Sequence, residues 1–579
     1  MNMHGQKSQA VFFFLGLLIS FSFFNSHAVW SQEVPEGAKA GAVEKSLQWE
    51  APTPSKVEKE LSPLSSPTVI EEISFPDDKK IFVKEFVLQG NTILSTKYLQ
   101  GLLNPYKNRE LTFGELKKTT QIITEAYKEK GYFLARAFLP VQEILEGVIT
   151  IQIVEGYLGE IFFEGGEARQ HAFLKKFIHP AHRGIIHYRK LLRSLLIVNK
   201  HTNMKVKAVF REGKRPQTVD IVLIMSDRKD FSAGASYDNY GSRFVSRHRN
   251  SVRAGKNNFL FAGDRVSFNA TGGNPWDKLS AAGVDYTSFL NSSGTYATTS
   301  YSWLDFNAQR QFRVLDVGGR SHVGSLQIVH PLLESVTSSF EALTGFHYKE
   351  VQNFLLGDIS SYDRLRIVEF GFRGDHLDSW SGRNIYSLNG FLGIANFWDG
   401  SLNNDPRASR VGAGGKFQKG VFQLERIQKV TSDVFFLFRS TSQVASDALP
   451  VAEQLSIGGA TTVRGFPQSE ALGDWGQIAS FEARIAPPFL AEKQFLWLKG
   501  TKVKNMFQLT GFYDYGRVVL RNPLAGEHRY HELMGAGVGA IFFYEDDFNV
   551  KVDYGYPVGS ERPSDKADST VYVQANWNF

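Results

Sequence analysis

The residues best equipped for chemistry lie late in the chain. Arg464 sits in the stretch Ile457-Gly458-Gly459-Ala460-Thr461-Thr462-Val463-Arg464-Gly465-Phe466, whose small residues allow a loop to fold inward. A second run, Gly511-Phe512-Tyr513-Asp514-Tyr515-Gly516, reads as a strand, with Phe512, Asp514 and Gly516 on one face and Leu509, Tyr513 and Tyr515 on the other. A guanidinium is a planar fork that a carboxylate accepts bidentately, so Arg464 and Asp514 form a candidate ion pair. Glu482, on a strand with Ser480 and Arg484, is a second candidate counter-charge. A lone loop arginine is ordinarily solvated. Here the expectation is that the pair holds the loop inside a pore, and that breaking it releases the loop.

Catalytic readings fare poorly. There is no cysteine, which excludes thiolate metal sites and cysteine nucleophiles. His179, His182 and His187 crowd one region without the HExxH or cysteine-histidine spacing of a metal site, and are expected to be exposed loop histidines. Gly412, Gly414, Gly415 and Lys416 evoke a phosphate loop, but Phe417 stands where a hydroxyl is required. Asp405 and the run Glu545-Asp546-Asp547 read as solvated turns in preference to calcium ligands. No enzymatic activity, cofactor or metal is expected.

What must position Arg464 and Asp514 is a long β region. From residue 230 onward helical periodicity stops, and short runs alternate between bulky apolar and small or polar residues. Phe231, Ala233, Ala235 and Tyr237 oppose Ser232, Gly234, Ser236 and Asp238. Met534, Ala536, Val538, Ala540 and Phe542 oppose glycines at 535, 537 and 539. Lys551 and Asp553 share the polar face with Asn549, and Val571, Val573, Ala575, Trp577 and Phe579 oppose Tyr572, Gln574, Asn576 and Asn578. A soluble sandwich would turn its bulky face inward and its polar face to water. Here the second face is too small to fill a core, which predicts a transmembrane antiparallel β-barrel with aromatics towards lipid and a wet lumen. About 350 residues at roughly 20 to 22 per strand and loop predict 16 strands.

Upstream, two units repeat the order βααββ, over 78–156 and 157–229, each roughly 75 residues long. In the first, Phe82 to Gln89 reads as one strand, Ser95 to Leu103 as a short helix, and Thr112 with Glu115 as a capping box opening a longer helix. Such a unit leaves open strand edges onto which another chain can add a strand. Residues 29–77 read as a short Ala/Glu/Lys helix and a Pro/Ser-rich linker. At the start, Lys7, an apolar run from Val11 to Phe24 and Ser26-His27-Ala28 read as a secretory signal over 1–28. That run is about 14 residues, short of the roughly 20 a spanning helix needs. The formal net charge of +6 is scattered along the chain, giving no basic face for nucleic acid.

The Val-Arg-Gly-Phe loop, the Phe-x-Asp-x-Gly strand, the two upstream units and the terminal Phe579 together resemble the outer-membrane exporters of two-partner secretion, the haemolysin and adhesin transporters. Gly131 to Pro140 and Val154-Glu155-Gly156 are similar to the first POTRA (polypeptide-transport-associated) unit of that family. The resemblance implies a 16-stranded barrel over 230–579 in the outer membrane of a Gram-negative bacterium, with the POTRA units in the periplasm. It implies that the Val463-Arg464-Gly465-Phe466 loop is tucked into the pore against Asp514, and that Trp577 and Phe579 serve as a signal to the barrel assembly machinery. It also implies a large haemolysin- or adhesin-like secreted partner, captured unfolded, and an N-terminal plug helix matched here by Glu36 to Leu47. That helix candidate is short and interrupted by Gly41. Alternatives are an insertase of the same superfamily, a passive porin, which would lack the upstream units, and an exported soluble binding protein.

Overall fold

The computed structural model describes residues 34–47, 80–144, 146–178, 184–215, 217–226, 229–487, 503, 506–545 and 547–579. The expected signal and linker, His179, His182 and Asp546 lie outside the described residues. No helix among the described residues is long and apolar enough to cross a membrane.

A short helix, α1 (Ala40–Ser46), comes first. The first α+β unit then contains β1 (Lys80–Val83), β2 (Glu85–Gln89), α2 (Thr96–Leu103), β3 (Arg109–Thr112), α3 (Phe113–Glu129), β4 (Arg136–Phe138) and β5 (Val148–Val154). The main sheet runs β2-β5-β4, with β2 parallel and β4 antiparallel to β5. The expected single strand from Phe82 to Gln89 breaks at Lys84. The amides of Lys84 and Glu85 both donate to the Gly147 carbonyl, so the chain leaves one ladder (β1 with β3) and enters another (β2 with β5) at that point. The Thr112–Glu115 capping box forms as its spacing predicts. Leu116, Ile123 and Tyr127 of α3 pack on Phe86, Ile149, Ile151 and Ile153 of the sheet. Buried Glu155 accepts the amides of Thr92 and Ile93 and the Tyr127 hydroxyl, tying the turn after β2 to α3.

The second unit repeats the plan with β6 (Tyr157–Glu164), α4 (Ala168–Phe177), α5 (Tyr188–His201), β7 (Lys205–Glu212) and β8 (Thr218–Ser226), in the sheet order β6-β8-β7. His187 departs from the exposed loop expected of it. It stands immediately before α5, its ring edge-on to Tyr132 at 5.3 Å and hard against Gly131 of the first unit. Burial pushes its pKa down. The histidine is a spacer between the two units.

Sixteen strands then close a barrel: β9 (Phe231–Asp238), β10 (Arg249–Asn257), β11 (Arg265–Gly273), β12 (Leu279–Phe289), β13 (Tyr296–Asn307), β14 (Gly318–Glu334), β15 (Ser338–Leu355), β16 (Asp358–Leu377), β17 (Gly382–Gly393), β18 (Phe417–Lys429), β19 (Val434–Ala445), β22 (Trp475–Ile485), β23 (Phe507–Val519), β24 (Tyr530–Tyr544), β25 (Phe548–Val558) and β26 (Thr570–Asn578). Two short strands, β20 (Leu455–Ile457) and β21 (Ala471–Gly473), form a separate ribbon in the loop between β19 and β22. Each barrel strand pairs antiparallel with its neighbours, and β26 closes on β9 from Gln574↔Asp238 to Asn578↔Gly234. Closure leaves no edge, so strands can cross lipid with their backbone groups paired. The face alternation follows parity: Val284, Tyr301, Val538 and Tyr554 are exposed outward, while Ser232, Arg253, Ser267 and Asn269 line the lumen. Asp405 is buried and accepts the amides of Leu402 and Arg407, so it shapes its loop and is not a solvated turn residue.

Candidate functional site

The loop between β19 and β22 does not extend into solvent. It turns back into the barrel, where Ile457, Val463 and Phe466 form an apolar cluster with Ala471, Val518 and Leu533. That anchorage carries Arg464 into the lumen, where the residue is only 4% exposed. Its Nε lies 2.7 Å from Asp514 Oδ2 and its Nη2 2.9 Å from Asp514 Oδ1, the bidentate fork expected. The Arg464 amide donates to the same carboxylate at 3.1 Å, so loop backbone and side chain are held by one group. Glu482 Oε2 receives Nη1 at 2.9 Å. A third acceptor, Asp553 Oδ2 at 3.1 Å, was not singled out from the sequence, although its parity on the polar face of β25 was the available signal.

Charge balances within this cluster. Arg484 donates to Glu482 Oε1 at 2.6 Å, and Lys551 lies 3.1 Å from Asp553 Oδ2 and 3.5 Å from Glu482 Oε2. Arg464, Arg484 and Lys551 thus face Glu482, Asp514 and Asp553. A buried ion with excellent geometry and satisfied hydrogen bonds is retained, but removal of one member leaves its partners uncompensated.

Each named residue of the Phe-x-Asp-x-Gly run on β23 meets the loop. Phe512 lies under the guanidinium, its ring centroid 3.3 Å from Arg464 Cζ. Asp514 takes the ion pair. Gly516 makes room for the loop, since a Cβ there would lie 2.7 Å from Val463 Cγ2. The neighbouring glycines do the same work: a Cβ at Gly535 would meet the Arg464 carbonyl at 1.8 Å, and one at Gly555 would meet the Gly465 nitrogen at 2.7 Å. Gly465 itself has φ +100°, a conformation that favours glycine. Tyr572 on β26 closes the cradle, accepting from the Gly465 amide at 3.1 Å and donating to the Phe466 carbonyl at 2.7 Å. Its role has no signal in the sequence beyond lumen parity.

A second segment shares the lumen. In α1 the residues Ala40, Gly41, Ala42 and Val43 are buried against the barrel wall and the segment Val451–Glu453. Gly41 is not an interruption. It lies within the helix, and a Cβ there would come 2.6 Å from the Ala452 nitrogen, so glycine sets the closeness of approach. Asn353 Oδ1 accepts the Ala40 amide at 2.8 Å, Ser321 donates to Glu44 at 3.0 Å, and Arg249 donates to the Ser46 carbonyl at 2.6 Å. Helix and loop therefore touch one another through Val451 and Ala452. The lumen keeps a cavity of about 1430 Å³ beside them.

Trp577 and Phe579 do not join this site. The Trp577 ring packs tilted against Phe548 with centroids 4.4 Å apart, and Phe579 lies beyond β26, exposed, its amide donating to the Ala233 carbonyl of β9 at 2.9 Å.

Comparisons agree with this architecture. Residues 81–156 match the POTRA domain of ShlB type. The heme/hemopexin transporter protein HuxB of Haemophilus influenzae (strain 86-028NP) is 22% identical over 459 residues, covering 77% of this chain and 76% of the relative. The outer membrane transporter CdiB of Escherichia coli is 24% identical over 406 residues, covering 68% and 67%. The solved structure of CdiB from Escherichia coli superposes with a TM-score of 0.71 at 20% identity, covering 89% of this chain and 94% of that one. Residues 217–542, which carry β8 through β24 and with them Arg464, Glu482 and Asp514, match the haemolysin secretion/activation protein family ShlB/FhaC/HecB, and the chain belongs to that family.

Proposed function

We propose that the chain, an outer-membrane transporter with its POTRA units in the periplasm, exports a large haemolysin- or adhesin-like partner in an unfolded state, with the Arg464 loop as the latch of its pore. In this reading the export signal spans 1–28, the plug helix and linker 29–77, the POTRA units 78–156 and 157–229, and the barrel 230–579. The observation that carries it is the position of Arg464: a buried guanidinium held by carboxylates from β22, β23 and β25 keeps a loop inside a barrel that still holds an open cavity. A passive porin would lack the two α+β units that precede the barrel. Partner strands add to a free edge of a POTRA sheet, such as β4 or β7, and pass to the barrel. Transport needs no nucleotide, because the partner buries apolar surface only after it leaves the channel and folds outside. Val463, Gly465 and Phe466 seat the loop, Phe512, Asp514, Gly516 and Glu482 receive it, and Trp577 and Phe579 address the chain to the assembly machinery and the surrounding lipid.

The test is genetic. Deletion of this gene is expected to abolish surface display or secretion of a large, signal-bearing protein encoded beside it. Unchanged secretion of that protein would overturn the export reading for that cargo.

A further inference from the structure

We propose that His201, Glu334 and Glu341 form a binding site for a divalent transition ion of the zinc class at the joint between the second POTRA unit and the barrel. The reading of the sequence expected no metal, and His201 lies far in it from the two glutamates, which flank one hairpin turn. His201 is the last residue of α5, Glu334 the last of β14, and Glu341 lies near the start of β15. Folding brings their ligand atoms within 4.8 Å of one another.

The geometry between two of these atoms points to a cation. His201 Nε2 and Glu341 Oε1 lie 3.2 Å apart, yet they are not aligned as a hydrogen bond, and neither atom is hydrogen-bonded elsewhere. Glu341 is 3% exposed, so water does not satisfy that oxygen. A buried acceptor left in this way is costly unless something positive lies between the lone pairs. Zinc bonds of about 2.0–2.2 Å at tetrahedral angles place neighbouring ligand atoms roughly 3.3 Å apart, close to the separation here. One imidazole and two carboxylates suit zinc and its neighbours, and the absence of thiolate and thioether argues against copper(I).

The surroundings orient the set. Arg373 donates to Glu341 Oε2 and to the Tyr296 hydroxyl, leaving Oε1 turned to His201, and the Tyr296 ring lies 4.9 Å from the imidazole. Outer hydrogen bonds of this kind fix ligand geometry. Lys200 is the competitor: its Nζ is 3.5 Å from Glu334 and 3.9 Å from Glu341. Its side chain is 30% exposed, so it can swing to solvent as an ion takes its place. A cleft of about 450 Å³, lined by Lys200, His201, Asn203 and Lys229, opens on the His201 side of the set. Because the ligands come from a POTRA helix and two barrel strands, a bound ion pins that unit to the rim and restricts its swing.

The test uses the full-length, untagged chain in detergent, stripped with chelator and titrated with Co²⁺ as a spectroscopic probe. The expected result is one equivalent giving the intense visible bands of low-coordinate cobalt, displaced by Zn²⁺. The bands should vanish in His201→Ala and Glu341→Gln and persist in His528→Ala, which removes one member of the separate pair His528 and His531. Lys200→Ala should tighten binding ~10-fold by removing the competing charge. Heat-modifiable gel mobility checks that each variant barrel is assembled; if His201→Ala is not, His201→Gln takes its place. Bands unchanged by the His201 and Glu341 substitutions, or no saturable Co²⁺ binding in the parent, would overturn the site.

Discussion

Replacing Arg464 with alanine probes the latch most directly. In the parent, the guanidinium is shared by Asp514, Glu482 and Asp553 at 2.7 to 3.1 Å. The substitution leaves those three carboxylates facing only Arg484 and Lys551, one negative charge in excess in a region nearly closed to water. Breaking a buried pair by removing one partner costs about 3–5 kcal/mol. At about 1.4 kcal/mol per factor of ten, the balance between loop in and loop out shifts by roughly two to three and a half powers of ten. Asp514→Ala shifts it in the same direction by less, because Glu482 and Asp553 still receive the guanidinium. The barrel itself should still assemble, since its strand ladder does not include Arg464. Conductance in planar lipid bilayers should rise or become unstable in both variants, and export of the partner should fall. Parent-like conductance and secretion in both would refute the latch.

Three further outcomes follow from the same geometry. Gly535→Ala should mimic Arg464→Ala in conductance, because its Cβ would strike the Arg464 carbonyl, whereas Gly511→Ala, with nothing within 4 Å, should behave as the parent. Equal behaviour of the two would show that the glycine face does not cradle the loop. Gly41→Val should expel α1 from the lumen through collision with Ala452, read as raised conductance and as faster proteolysis near residues 34–47; a protected segment would count against this packing. His187, whose pKa is depressed by burial, binds protons more readily when the POTRA joint opens than when it is closed. The joint is therefore fully stabilised above the ordinary histidine value near 6.5 and weakens as pH falls below it. Hydrogen exchange at residues 131–135 and 187–191 should accelerate on acidification in the parent and lose that dependence in His187→Phe; an unchanged dependence in the variant would assign it to another group.

Much of this protein is legible in its residue order because a membrane barrel is a local code. Alternation such as Phe231-Ser232-Ala233-Gly234 needs no tertiary information to say which side meets hydrocarbon, since parity alone assigns the faces. The same parity put Asp514 and Phe512 in the lumen, and helix signals such as Thr112 with Glu115 are complete within a few residues. What stayed hidden depends on contacts between distant positions. Gly41 read as a helix breaker because a glycine costs helix stability, and only the nearness of Ala452 shows that the gap is used. His187 read as a loop residue until Gly131 and Tyr132 of the other unit were placed against it. Asp553, Tyr572 and the trio of His201, Glu334 and Glu341 gain their surroundings from strand closure and from the docking of a POTRA helix on the rim. Local periodicity thus determined the fold class, the faces and the ends of the latch. The number of carboxylates around Arg464, the fit of α1 and the joint beneath the barrel were decided by tertiary structure, because electrostatic and steric complementarity acts between neighbours in space.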